Sequence, residues 1–165
     1  MTIDRMMKIS TMASIVVVLE KVLEFLPNIQ LTVVLLMAFI FFLSLPEALI
    51  LVTIYTMLDI LLGGISLYAI PMFIAWNLFA IIVFYVKGNL TKLIIIGSIY
   101  PIFYSLVLGL PYIYMLNIDF KLYYLADLPF TGIFIVGNIV TIIWLYPMIV
   151  KQLSYYMGDN HENIH

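Results

Sequence analysis

The chain has 165 residues, of which 65% are hydrophobic and 10% are charged, with a formal net charge of -2 and no cysteine. A soluble domain has roughly 45–50% apolar and about 25% charged residues, because it must cover its surface with polar groups. This composition excludes a soluble domain and indicates an integral membrane protein. Seven Lys and Arg residues are too few for a nucleic-acid surface. Without cysteine, the chain has no thiol catalyst, disulfide or thiolate metal ligand.

Apolar runs separated by prolines, glycines and polar residues predict a single all-α domain with six transmembrane helices. The first run follows Arg5 and Lys8, and because a second run begins soon after it, we expect a retained helix rather than a cleaved signal peptide. Pro46 is predicted to close the second span, and Gly63-Gly64 the third. At about 20 apolar residues per span, six spans leave no room for a soluble domain. The predicted spans are 9–26, 29–45, 48–62, 68–86, 93–110 and 128–150, followed by a polar C-terminal tail at 151–165.

Lysine and arginine are distributed unevenly between the two sides of this six-helix topology. Five of them lie on the side that holds both termini, and two, Lys21 and Lys121, lie on the other. Because basic residues favour cytoplasmic connections, both termini are predicted to be cytoplasmic. The outer side then holds the connections 20–30, 59–68 and 110–127.

Hydrogen-bonding and aromatic side chains concentrate toward the predicted outer side of five of the six helices. A polar group that faces hydrocarbon is costly, so each should face protein, water or a ligand. Apolar walls with a few polar groups and rings for stacking are typical of a site for a small polar or aromatic molecule. The candidate substrate-binding residues are Glu24, Asn28, Gln30, Tyr55, Asp59, Tyr68, Trp76, Asn77, Asn117 and Asn138.

Each of these residue types also has a purely structural explanation. Tyr and Trp anchor helices at membrane interfaces. A residue such as Asn138 can form a hydrogen bond between two helices, which stabilises their packing by about 0.6–2 kcal/mol. An ionisable group such as Asp59 in or near a span indicates function, although Gly63-Gly64 would leave it at the water interface. Glu20 and Glu24 share one helical face and equally mark the exit of the helix into water. The sequence leaves these alternatives open.

Residues 161–165 match the zinc-protease pattern H-E-x-x-H. That chemistry needs both histidines on one helical face, a third ligand and a supported glutamate. The pattern follows Gly158-Asp159-Asn160, which favours a turn, and it lies in the polar tail, so we expect no catalytic metal site. The chain also lacks a P-loop and a G-x-S-x-G nucleophile motif, and it is predicted not to be an enzyme. A small membrane enzyme with Asp59 as acid or base is an alternative.

Three segments near the predicted site, together with the six-helix organisation of the whole chain, are similar to those of a known family. They are Pro27-Asn28-Ile29-Gln30-Leu31-Thr32, the end of the third helix at Asp59 and Gly63-Gly64, and Pro71-Met72-Phe73-Ile74-Ala75-Trp76-Asn77. In these features the chain resembles the substrate-binding S components of energy-coupling factor (ECF) vitamin transporters. The resemblance implies a non-catalytic subunit in a prokaryotic plasma membrane that captures a small water-soluble vitamin or related nutrient from outside.

The resemblance also implies partners and a docking surface. The partners would be one membrane-embedded T component and two ATPase subunits that use ATP, while this chain would need no cofactor of its own. Many members dock through an alanine-rich face of the first helix, and the nearest match here is Ser10, Ala13 and Ser14. The serines depart from the alanine pattern, and the third helix offers no second copy. The first alternative to a binding subunit is a structural or assembly subunit of a membrane complex, whose polar residues only join helices.

Overall fold

Six α-helices form between the glycine, proline and polar breaks of the sequence. The structure, a computed structural model, describes residues 2–24, 31–64 and 66–157. Within these residues the predicted all-α fold with six helices is confirmed. The helices are α1 (Ile3–Leu23), α2 (Thr32–Phe41), α3 (Leu45–Gly63), α4 (Ala69–Val86), α5 (Leu90–Leu116) and α6 (Phe120–Met157).

Four helices of the described residues are long and apolar enough to cross a membrane. They are α3, α4, α5 and the part of α6 at Phe120–Tyr155. A hydrocarbon core of about 30 Å needs about 20 helical residues at a rise of about 1.5 Å each. The chain is therefore a multi-pass membrane protein by the hydropathy of its helices. Of the other two, α1 has 21 residues but carries five charged side chains, and α2 has 10 residues.

The second helix is shorter than the predicted span 29–45. It ends at Phe41, and α3 begins at Leu45 rather than at residue 48. Pro46, predicted to close the second span, instead lies in the first turn of α3, where its missing N–H breaks no hydrogen bond. The Ser44 backbone N–H and hydroxyl both donate to Glu47 Oε2, at 2.9 and 2.7 Å. This N-terminal cap sets the helix start, and the proline follows it.

The fifth and sixth helices are longer than the predicted spans 93–110 and 128–150. The predicted fifth span ends at residue 110, but α5 continues through Pro111 to Leu116, and the C-cap residue Asn117 has a left-handed backbone with φ 51°. The helix α6 begins at Phe120 after Asp119, whose side chain accepts from the Leu122 N–H at 2.9 Å. It also runs into the predicted polar tail and ends at Met157. Capping residues, rather than the prolines, mark these helix ends.

The short helix α2 lies at the centre of the bundle. Nine of its ten residues are buried, from position 32 to position 40, and the helix contacts α1, α3, α4 and α6. A helix that is apolar on all sides is buried by its neighbours. Four helices therefore surround α2, and α5 packs along α6 as α3 packs along α4.

The charged side chains gather at the two ends of the bundle. At one end Arg5 Nη2 donates to Glu47 Oε2 at 3.1 Å, and at the other Lys21 Nζ lies 3.3 Å from Asp59 Oδ1. We call the first the basic end, with described charged residues Asp4, Arg5, Lys8, Glu47, Lys87, Lys92 and Lys151. We call the second the acidic end, with described charged residues Glu20, Lys21, Glu24, Asp59, Asp119, Lys121 and Asp127. The two ends carry opposite net charges.

Lys87 covers the C-terminal end of α2 at the basic end. Its Nζ donates to the carbonyl of Leu43 at 2.7 Å and to that of Ile40 at 3.5 Å. Burial lowers the pKa of Lys87 from its ordinary value, and the negative charge of Glu47 opposes this shift. A cation at this position complements the partial negative charge of the helix C-terminus.

Candidate functional site

A cavity of about 200 Å³ lies inside the bundle, in the half nearer the acidic end. All six helices contribute to its walls, and its volume is below the roughly 300–1,000 Å³ of pockets for drug-sized ligands. The apolar lining residues are Val33, Pro101, Leu108 and Phe134. The polar and aromatic lining residues are Glu20, Tyr55, Trp76, Tyr100, Tyr104, Ser105, Tyr123, Asp127, Thr131 and Asn138.

Trp76 is the centre of an aromatic wall on one side of this cavity. Its ring centroid lies 5.2 Å from that of Tyr55 in an edge-on arrangement, 5.0 Å from Tyr100 and 5.6 Å from Tyr104. Phe79 adds a second edge-on contact to Trp76 at 5.4 Å. These separations lie within the favourable range of about 4.5–7 Å for aromatic pairs. The contacts join α3, α4 and α5 into one fixed wall.

Glu20 supplies a carboxylate from the last turns of α1. Its Oε2 accepts from the Tyr55 hydroxyl at 2.9 Å and from Thr32 Oγ1 at 3.2 Å. The side chain therefore ties α1 to α2 and α3. Both donors are neutral hydroxyl groups, so these two hydrogen bonds bring no positive charge to the carboxylate.

Asp127 supplies a second carboxylate from α6. Its Oδ2 accepts from Ser105 Oγ of α5 and from Thr131 Oγ1 at 2.7 Å. Again both donors are hydroxyls. Among the described residues, neither Asp127 nor Glu20 forms an ion pair, and no Lys, Arg or His lines the cavity.

Two buried donors in the aromatic wall lack acceptors. Trp76 is 4% exposed and Tyr100 is 7% exposed. Within the described part of the chain, neither the indole Nε1 nor the Tyr100 hydroxyl has a hydrogen-bond partner of normal geometry. The Tyr104 hydroxyl lies near the indole without meeting that geometry. Buried polar groups are normally paired, so this wall has unused hydrogen-bonding capacity.

The structure brings three of the predicted binding residues together at the cavity: Tyr55, Trp76 and Asn138. Asn138 is 3% exposed, and its Nδ2 donates to the Gly97 carbonyl at 2.9 Å. This bond joins α6 to α5. The side chain of Asn138 thus has a structural partner as well as a position on the wall.

Two of the predicted acidic residues lie outside the cavity lining. Lys21 Nζ lies 3.3 Å from Asp59 Oδ1 and 3.9 Å from Glu24 Oε2. Glu24 is exposed. These three side chains form a charged cluster at the acidic end of the bundle.

The remaining predicted binding residues are also not part of the lining. Tyr68 precedes α4 and is half-buried, and Asn77 Nδ2 donates to the carbonyl of Phe73 in its own helix at 2.8 Å. Asn117 is exposed at the end of α5. Asn28 and Gln30 lie outside the described residues, as does the 161–165 motif.

The three residues of the predicted docking face on α1 do not lie on one exposed surface. Ser10 and Ser14 are exposed, and Ser14 Oγ donates to the Ser10 carbonyl at 2.9 Å. Ala13 is fully buried in the core. The outward face therefore presents the two serines without Ala13.

Sequence reasoning missed Asp127 as a cavity residue because the sixth span was predicted to begin at residue 128. The helix begins at Phe120, which puts Asp127 two turns inside it. The available signal was the apolar content of the stretch before 128, including Phe120 and Leu122. Tyr100 and Tyr104 were also missed, although their spacing of four residues puts both on one helical face.

The described residues contain no group of three or more His, Cys, Asp or Glu side chains that could hold a metal ion. The cavity instead offers two carboxylates, several hydroxyls, an amide and aromatic faces. Compared with protein-family models, curated proteins and solved structures, the chain matches none of them. The functional argument consequently rests on the geometry of the cavity.

Proposed function

We propose that this chain is the substrate-binding S component of an ECF-type importer. In this role it binds a small water-soluble vitamin or related nutrient from outside the cell and delivers it through a separate ATP-driven module. The observation that carries the proposal is the cavity to which all six helices contribute. A cavity with apolar walls, a few buried polar groups and aromatic faces is the usual form of a small-molecule site.

The charge distribution supports the orientation that this function requires. Five basic residues lie at the basic end and two at the acidic end of the described chain. With the basic end in the cytoplasm of a prokaryotic cell, both termini are cytoplasmic and the cavity lies in the outer half of the membrane. In this proposal the chain crosses the membrane six times: α1 is a further transmembrane helix, and the sixth crossing contains α2, whose 10 residues rise only about 15 Å and are shielded from lipid by the neighbouring helices.

The partners in this proposal are a transmembrane T component and two ATPase subunits. The ATPases use ATP, and the S component itself performs no catalysis and needs no cofactor. Its docking surface includes the exposed Ser10 and Ser14 on α1, because small side chains allow a partner helix to approach closely.

A structural or assembly subunit of a membrane complex is the second candidate. It is favoured by one observation, the bond from Asn138 Nδ2 to the Gly97 carbonyl. A polar side chain engaged in this way joins two helices and needs no ligand to explain its burial.

Mass spectrometry of small molecules released from the detergent-purified chain distinguishes the two candidates. We expect a stoichiometric nutrient-like compound from the wild type and its loss from Trp76→Ala. Trp144→Ala is the matched control, because Trp144 is 73% exposed and does not line the cavity. If the wild type carries no compound, and a panel of vitamins also fails to raise its thermal unfolding midpoint, the structural candidate is favoured.

A further inference from the structure

The cavity holds two carboxyl groups that no cation of the described residues contacts directly. Glu20 and Asp127 both line it, and each accepts hydrogen bonds only from hydroxyl groups among the described residues. Glu20 and Asp127 are half-buried, and charges withdrawn from water in proteins are normally paired with an opposite charge or with a metal. Neutral donors satisfy the oxygen lone pairs but supply no opposite charge.

The nearest cation along the sequence is already engaged elsewhere. Lys21 follows Glu20 directly, but its Nζ lies 3.3 Å from Asp59 and 3.9 Å from Glu24. Lys21 is not among the lining residues, and no other Lys, Arg or His of the described chain is. A positively charged molecule that enters the cavity would therefore meet two carboxyl groups that no cation of the described chain contacts directly.

The aromatic wall favours the same class of ligand. Trp76, Tyr100, Tyr104 and Tyr123 line the cavity with the two carboxylates, and the face of an aromatic ring attracts a cation within about 6 Å. The Trp76 indole N–H and the Tyr100 hydroxyl are buried without acceptors. They provide the independent indication of a ligand, since an oxygen on a bound molecule would accept from the indole N–H, and the Tyr100 hydroxyl can also accept from an ammonium N–H.

From these three observations we propose that the ligand is a small organic cation. Its positive charge lies between Glu20 and Asp127, and its apolar part contacts the rings of Trp76 and Tyr100. The proposal rests on the proposed function as a substrate-binding subunit and names the substrate class. A volume of about 200 Å³ limits the cation to a small molecule, such as one quaternary ammonium group or a single ring.

Matched pairs of charged and neutral molecules test this proposal. The first pair is choline and its neutral isostere 3,3-dimethylbutan-1-ol, and the second is benzylamine, protonated at pH 7, and benzyl alcohol. The full-length chain in detergent carries Trp144→Phe, which leaves Trp76 as its single tryptophan because the chain has two. Trp76 fluorescence then reports occupancy of the cavity.

We expect at least one cation to bind about tenfold more tightly than its neutral partner, which corresponds to one charged contact. Glu20→Gln and Asp127→Asn should each weaken the cation about tenfold and leave the neutral partner unchanged within about twofold. Both substitutions keep an acceptor oxygen for the neighbouring hydroxyls, so the fold is retained, as thermal unfolding verifies. Asp119→Asn is the matched control at the same end of the bundle, because Asp119 caps α6 and asparagine caps as well.

Two results would overturn the proposal. One is that neither cation binds more tightly than its neutral partner. The other is that cation binding is unchanged in both charge-neutral variants. These results are distinguishable from failure of the proposed function. A neutral or anionic nutrient found by mass spectrometry would contradict the cation and remain compatible with the importer. Cation binding without association with a T component would contradict the importer and remain compatible with the cation.

Discussion

Asn138 Nδ2 donates to the Gly97 carbonyl at 2.9 Å, and this carbonyl is the one that a proline leaves without a partner. In a regular α-helix the Gly97 oxygen accepts from the N–H of residue 101. That residue is Pro101, which has no N–H. The amide of α6 therefore replaces the hydrogen bond that α5 has lost. Pro101 and Asn138 both line the cavity. The hydrogen bond from Asn138 therefore holds α5 and α6 together at the candidate site.

Asn138→Leu is expected to reduce the free energy of unfolding in detergent by about 1–2 kcal/mol, because it leaves the Gly97 carbonyl buried and unpaired. Pro101→Ala restores an N–H within α5. In that background the same Asn138→Leu substitution should cost about 1 kcal/mol less. A double-mutant cycle of denaturant unfolding measures the difference. If Asn138→Leu lowers the free energy of unfolding equally in both backgrounds, Asn138 does not replace the hydrogen bond that Pro101 removes.

Gly97 is also a point of close approach between α5 and α6. A Cβ at this position would meet the Ile142 side chain, with Met37 Cε 3.7 Å and Asn138 Cβ 3.8 Å away. Gly97→Leu should therefore lower stability by about 1–3 kcal/mol through overpacking. Gly132→Leu on α6 is the matched control, because a Cβ there has nothing within 4 Å. Thermal unfolding of the two variants in the same detergent should separate them, and equal midpoints would contradict the close approach.

The sequence predicted the number of helices well, because glycines, prolines and polar residues interrupt the apolar runs. It predicted the length of α2 poorly, since residues 29–43 are almost uniformly apolar; the spacing of Ser44 and Glu47, typical of a capping box, is the signal that places the start of α3 at Leu45. Tyr55 and Trp76 could be selected as polar or aromatic groups within spans. The direction in which the Tyr100 side chain points could not be predicted, because a helix that is apolar on all sides does not indicate which side contacts its neighbours.

Lys87 is expected to stabilise the basic end through α2. Its Nζ donates to the Leu43 carbonyl at 2.7 Å, near a helix end where a cation contributes about 0.3–1 kcal/mol. Lys87→Met keeps the apolar stem and removes the charge and the donor, so we expect a loss of about 1 kcal/mol in unfolding free energy. Lys92→Met, at an exposed lysine of the same end, should have a smaller effect. Urea unfolding followed by circular dichroism measures both, and an effect of Lys92→Met as large as that of Lys87→Met would contradict this role.

The proposed orientation predicts which lysine positions face the outside of the cell. Lys121 lies in the first turn of α6 at the acidic end, Lys92 lies in the first turn of α5 at the basic end, and both are exposed. The chain has no cysteine, so Lys121→Cys and Lys92→Cys each create a single labelling site without a further background change. A membrane-impermeant maleimide added to intact cells should label the Lys121 variant and spare the Lys92 variant.

Permeabilised cells provide the control for this labelling, because both variants should then react to a similar extent. Each substitution removes one basic residue from its end, and five against two basic residues leave the bias of the chain unchanged in sign. Labelling of the Lys92 variant alone in intact cells would invert the topology. The cavity would then lie nearer the cytoplasm, and uptake of a nutrient from outside would no longer be compatible with the proposed function.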